Sequence, residues 1–195
     1  PLYFTLAARL FNTWSSSSSL ERDCLLQPTV ISLIRQIFEK VEHDFGKVLV
    51  SHAFAYLTFS KNGLSLTEWE DILSLDEEVV NAVFQYSEMN IRRVPTHVIV
   101  RLMEELKGLL VERTGGRFYW YHRQLIETAQ SMYAPSLKRQ AHEIMGQYFG
   151  NLVPTDIRQA KRIAEQPRVL TGPSVWFMNA KVNESRAVEA AYHLV

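Results

Sequence analysis

One stretch of this chain breaks an otherwise helical spacing of apolar residues, and it limits the fold more than any other feature. Leu110-Val111-Glu112-Arg113 and Arg117-Phe118-Tyr119-Trp120-Tyr121 read as strands, with Thr114-Gly115-Gly116 between them. Paired glycines supply the positive φ that a tight turn needs, so the stretch predicts a β-hairpin. On either side the spacing is that of helices. Tyr3, Leu6, Ala7, Leu10 and Phe11 form a first stripe, and Val30, Ile34, Ile37, Phe38, Val41 and Phe45 a second. Pro28 suits the first turn of that second helix and Gly46 its end. Residues 47–60 are apolar almost all round, as in a helix buried between neighbours.

Further punctuation divides the middle of the chain. Asn62-Gly63 is a turn signal. Ser65-Leu66-Thr67-Glu68 predicts a capping box, Asp76 a second cap, and Pro95 opens a helix carrying Val98, Ile99, Leu102, Leu106 and Leu109. Helical spacing resumes after the hairpin with Leu125, Ile126, Ala129, Met132 and Tyr133. It continues beyond Pro135 with Leu137, Ala141, Ile144, Tyr148 and Phe149. A helix near 156–165, loop over 167–182 and a last helix over 184–194 capped by Asn183 complete the pattern. Helix, helix, turn, helix, helix, hairpin is the order of a winged helix spanning 28–121. The fold class is therefore mainly α: a winged-helix domain with a small β-hairpin wing, flanked by helical subdomains. The serine run Ser15 to Ser19 is the one low-complexity linker. The expected division is 1–19, 20–134 and 135–195.

Charge narrows the function. Lys plus Arg and Asp plus Glu are 21 each, so the net charge is zero, unlike a dedicated nucleic-acid binder. Residues 62–91 hold seven acids and no base, whereas 92–195 hold fifteen bases and nine acids. That asymmetry predicts complementarity, either internal or towards a basic partner. Cys24 is the single cysteine, which rules out an internal disulfide and fits a reducing, cytoplasmic compartment. No apolar run has the length of a membrane span. Helical spacing from Leu2 and again up to Val195 reads as a piece of a longer protein.

No glycine begins a GxxxxGK[ST] phosphate loop, and HExxH and GxSxG do not occur. No enzymatic activity of the chain's own is expected. The segment that stands out is Phe118-Tyr119-Trp120-Tyr121-His122-Arg123-Gln124-Leu125-Ile126-Glu127, in which an aromatic strand delivers His122 to a strand-to-helix junction. An imidazole there can donate to a phosphate oxygen, or simply cap and pack at the junction. Arg123 is a secondary candidate or a solvated charge, paired with Glu127 one helical turn on. His52, on the all-apolar helix, reads as a satisfied core residue, and His43 and His97 as surface groups.

Pro1-Leu2-Tyr3, the helix ending in Gly46, Gly63-Leu64-Ser65 and Tyr-His-Arg-Gln before a helix resemble the region that follows the nucleotide-binding core in NACHT-type STAND ATPases. The nearest flavour is the nephrocystin-like and telomerase-associated proteins that carry TPR or WD repeats. The resemblance covers residues 1–150. It implies a regulatory lid that holds an ADP-bound closed state and couples it to a downstream sensor, without hydrolysis of its own. It puts His122 on the nucleotide phosphates. ADP or ATP with Mg is expected on the adjacent nucleotide-binding domain of the parent, and no cofactor in this chain. The implied partners are that domain, a downstream repeat domain, proteins the sequence does not name, and further copies of the chain in the active state. Nucleic acid and membrane are not expected. The alternative is an interaction scaffold with no nucleotide role, whose acidic 62–91 face meets a basic partner. A winged helix could also bind nucleic acid, but the segment in the recognition position, 76–87, holds three acids and no base. No salt-sensitive retention of duplex DNA is expected in a gel shift at low salt, and clear retention would reverse that reading.

Overall fold

The computed structural model describes residues 1–13, 25–84, 93–113, 115–150 and 183–194. Eight helices and three short strands follow in the order α1 Leu2–Thr13, α2 Val30–Phe45, α3 Lys47–Phe59, β1 Leu64–Ser65, α4 Leu66–Leu75, α5 Glu77–Val83, α6 Thr96–Glu105, β2 Leu110–Arg113, β3 Arg117–Trp120, α7 Arg123–Gly150 and α8 Glu184–His193. The strands form an antiparallel sheet of order β1-β3-β2. This is a winged helix with a β-hairpin wing, mainly α, as the change of period predicts. The expected linker at Ser15–Ser19, Cys24 and the expected elements over 156–182 lie outside the described residues.

Local chemistry sets most helix ends. Gly46, at φ 94°, receives the end of α2 and opens α3, so the two helices turn within one residue. Ser65 and Glu68 form the predicted capping box of α4, and the Asp76 side chain takes the Glu78 N–H at 3.0 Å to cap α5. Two expectations shift. Pro28 is not in the first turn of α2. Thr29 is the N-cap, in a reciprocal box with Ser32 at the third helical position, and the helix begins at Val30. Pro135 does not divide α7, which runs unbroken from Arg123 to Gly150. A proline inside a helix forfeits one backbone bond. Here both halves are held by packing, the first through Leu125, Ala129 and Tyr133 and the second through Ala141, Met145, Tyr148 and Phe149.

The core is one continuous cluster from Leu6 to Phe149. At its centre Trp120 of β3 meets Phe38 of α2 and Phe54 of α3, with ring centroids 5.3 and 5.2 Å away. Tyr133 of α7 completes the group against Phe38 and Phe54. The Trp120 indole N–H donates to Thr58 Oγ1 at 2.9 Å, and the fully buried Trp69 donates to the Ala53 carbonyl at 3.1 Å. Both rings therefore bury their area without an unpaired donor.

The acidic segment is turned inward. Glu68, Glu70, Asp71 and Asp76 are all buried. Arg117 of β3 reaches Glu68 at 2.5 Å, and Arg93 reaches Glu70 at 2.9 Å and Asp71 at 2.6 Å. Asp76 accepts from Tyr56 and lies 2.5 Å from His52 Nδ1. Burial pushes the Asp76 carboxyl up, but the bonds from His52, Tyr56 and the Glu78 N–H outweigh it and hold the group below the usual carboxylate range. His52 is thus the satisfied core residue expected. Four of the seven acids expected to face a basic partner are thus buried, with Arg93 and Arg117 meeting three of them, while Glu78 is exposed and Glu88 lies outside the described residues.

The recognition position moves as well. Of 76–87, residues 77–83 form α5, and the helix directly ahead of the wing is α6. The exposed side of α6 carries Arg101 against Glu104 and Glu105, so it offers phosphate no net attraction.

Gly63, at φ 65°, sits where β1 passes beneath β3. A Cβ there would strike the Phe118 carbonyl and come within 2.9 Å of the Tyr119 ring. Gly63→Ala should therefore lower stability by about 1–3 kcal/mol from the backbone conformation alone. Urea denaturation checks this, and an unchanged midpoint would contradict the close approach of β1 to β3.

Candidate functional site

His122 stands where β3 hands over to α7, and four interactions place it. Trp120, two residues earlier, is fixed in the aromatic cluster. The Tyr121 N–H donates to the Leu109 carbonyl at 2.8 Å, tying the end of β3 to the turn before β2. The Leu125 N–H then closes on the His122 carbonyl at 3.0 Å and starts the helix. His122 Nδ1 accepts the Gln124 N–H at 3.2 Å. The ring thus caps α7 in the way an Asn or Asp side chain caps other helices. With Nδ1 accepting, the hydrogen of the neutral imidazole lies on Nε2, which is the atom able to donate to a ligand.

His122 is half-buried and borders a cleft of about 640 Å³. Pro1 and the α1 residues Leu2, Thr5 and Leu6 bound it on one side, the turn from Gly108 to Val111 on another, and Tyr121, His122 and Leu125 on the third. The volume lies in the range of small-molecule sites. Of these side chains Thr5, Tyr121 and His122 carry polar atoms, and none is a carboxylate. Tyr121 is 64% exposed, so its ring stands open to solvent beside the imidazole. Gly108, at φ 85°, lets the chain leave α6 and turn into β2 along the cleft.

Arg123 is not held at this site. Its guanidinium bonds Glu127 at 2.7 Å with the side chain 86% exposed, a surface pair of about 0.3–0.5 kcal/mol. Of the two sequence candidates, the structure puts His122 against the cleft and pairs Arg123 outward. Sequence reasoning did not find the other walls. Pro1-Leu2-Tyr3 was visible as a motif, but nothing local signals that it faces residues more than a hundred positions away. No group of three or more His, Cys, Asp or Glu among the described residues could hold a metal ion. No helix among them is long and apolar enough to cross a membrane.

The sequence pattern of the NWD1-like, winged helix-turn-helix domain matches residues 25–140. The chain belongs to that family. It is 36% identical over 155 residues to the NACHT and WD repeat domain-containing protein 2 of Mus musculus, covering 76% of this chain and 9% of that protein. The human NACHT domain- and WD repeat-containing protein 1 is 27% identical over 190 residues, covering 87% of this chain and 12% of that protein. The chain thus spans about a tenth of the length of the curated relatives it matches. No solved structure matches it. The family match runs through both strands of the wing and on into α7, and so includes His122.

The cap gives the imidazole a structural duty that can be separated from ligand binding. His122→Ala should lower stability by about 1 kcal/mol through loss of the N-cap. His122→Asn, whose Oδ1 can occupy the place of Nδ1, should recover most of that loss. Equal midpoints for wild type and His122→Ala in thermal denaturation would show that the cap contributes nothing.

Proposed function

We propose that this chain is the regulatory lid of a NACHT-type nucleotide switch, and that His122 contacts the phosphates of ADP bound on an adjacent nucleotide-binding domain. The observation that carries the reading is the state of His122: one nitrogen is committed to the α7 cap, the other is left to donate, and the ring borders a cleft without carboxylates. A group of this kind favours an anionic oxygen, and it is held in position before the ligand arrives. The relatives' names place a NACHT domain and WD repeats in those proteins, and the same partners are the ones proposed for this chain.

On this reading ADP would bind the closed arrangement more tightly than the open one, and the population would shift by that difference in affinity. The lid itself would not hydrolyse nucleotide. ATP or ADP with Mg would belong to the neighbouring domain, and a downstream repeat region would supply the opposing bias, with reciprocal effects on affinity. Arg123 would act at most from the rim, given its exposure and its bond to Glu127.

The test is the nucleotide content of the purified full-length protein. Wild type should retain ADP. His122→Ala and His122→Asn should both lose it, although the asparagine restores the cap. Equal ADP in all three proteins would leave His122 as a helix cap and overturn its phosphate role. No nucleotide in any of them would overturn the switch.

A further inference from the structure

Helix α8 is seated on the rest of the molecule through polar side chains where an ordinary core helix would use apolar ones. Its three buried residues are Arg186, Glu189 and His193, spaced to share one face. The Arg186 guanidinium lies 4.3 Å from the centre of the Tyr148 ring and donates to the Tyr148 carbonyl. His193 donates from Nε2 to Glu189 at 3.2 Å, which leaves its Nδ1 to accept from His142 Nδ1 of α7 at 2.8 Å. The Glu189 side chain is fully buried. Its carboxylate also accepts two backbone N–H groups from the turn between α3 and β1, those of Lys61, at 3.1 Å, and Asn62.

That turn has a second holder on its other side. Arg117, the first residue of β3, donates to the carbonyls of Asn62 at 3.3 Å and Gly63 at 2.6 Å. Asn62 therefore has its N–H held by α8 and its C=O held by the wing. Arg117 pairs with Ser65 of β1, and β3 ends at the His122 junction. One residue joins the position of α8 to the root of the strand that carries His122.

The chemistry of this seam also makes it separable. An apolar helix lifted from its seat leaves an adhesive face in water. Charged groups removed from a seam regain their hydration, so the seated and lifted states lie closer in free energy. Gly146 of α7 permits the close seating, since a Cβ there would stand 3.1 Å from the Leu194 side chain.

We propose that α8 is a releasable latch on the wing. Glu189 holds the Lys61–Asn62 turn where Arg117 can anchor β3, and lifting α8 loosens β3 and the His122 junction. The consequence for nucleotide rests on the reading of His122 given above; the mechanical link does not. Any signal that lifts α8 would reach His122 by this route.

Hydrogen–deuterium exchange of the full-length protein tests the link with two unrelated variants. Glu189→Gln keeps the volume but cannot accept both turn N–H groups. Gly146→Leu leaves Glu189 intact and wedges α8 from below. Both should speed exchange at 61–62 and 184–193 by about 10- to 100-fold, as expected on loss of hydrogen bonds to a charged acceptor. Both should also speed exchange at 117–122, with the amides of α6 unchanged. Faster exchange of α8 and the turn with 117–122 at the wild-type rate would overturn the latch. So would acceleration throughout, α6 included, or wild-type rates everywhere in either variant. In protein that carries ADP, the two variants should release it faster, and an unchanged release rate would sever the latch from the nucleotide. Protein that carries none refutes the switch, while the exchange result still decides the latch.

Discussion

The position of Trp120 is the constraint on which the rest depends. A strand of four residues has little stability of its own. β3 is held because its last residue is built into the aromatic cluster of Phe38, Phe54 and Tyr133, which joins α2, α3 and α7. Removing that ring would do more than leave a cavity. It would free the end of β3, and with it the start of α7 and the orientation of His122. The wing is therefore not an appendage of the helical core but is fastened through its centre.

The charged residues make a second framework around the first. Glu68, Glu70, Asp71 and Asp76 are each withdrawn from water, which is costly unless every one is met by hydrogen bonds and an opposite charge. Arg93 and Arg117 supply that charge to Glu68, Glu70 and Asp71, Asp76 is met by His52, Tyr56 and the Glu78 N–H, and Thr96 and Tyr148 supply further bonds. Such pairs add less to stability than apolar groups of the same size would, but they tolerate few alternative arrangements. Arg117 illustrates the consequence. Its fork spans Glu68 in the capping box of α4 and the carbonyls of the turn ahead of β1, so one side chain sets the register of the small sheet.

Structure and function meet in the double use of single groups. His122 caps a helix with one nitrogen and, in the proposed switch, donates to phosphate with the other. Asn62 is held from both sides, by α8 and by the wing. Positions shared in this way suit a part that must be firm in each of two states and movable between them, because few contacts have to change for a whole element to be released. The apolar core supplies the firmness, and in the proposed latch the polar seam under α8 would supply the movable joint.

The winged-helix order was legible in the sequence because its signals are local. Helical stripes, the capping box at Ser65, the cap at Asp76, the Gly115-Gly116 turn and the aromatic strand leading to His122 are each read within a few residues. β1 was not legible, since two residues carry no period; it exists because β3 lies beside it. Pro135 misleads locally, because its effect on the helix is outweighed by packing on both sides. The pairing of Glu68 with Arg117, 49 residues away, and of Glu189 with the turn at 61–62 leave no trace in spacing. The sequence by itself determined most of the helices among the described residues, where the wing lies and that His122 sits at its end. Tertiary structure alone decided that Glu68, Glu70, Asp71 and Asp76 are buried, that α1 walls a cleft beside His122, and that α8 holds the turn at 61–62. The reason is range: caps and periods act within a turn of chain, whereas burial, ion pairing and clefts depend on which distant segments the core brings together.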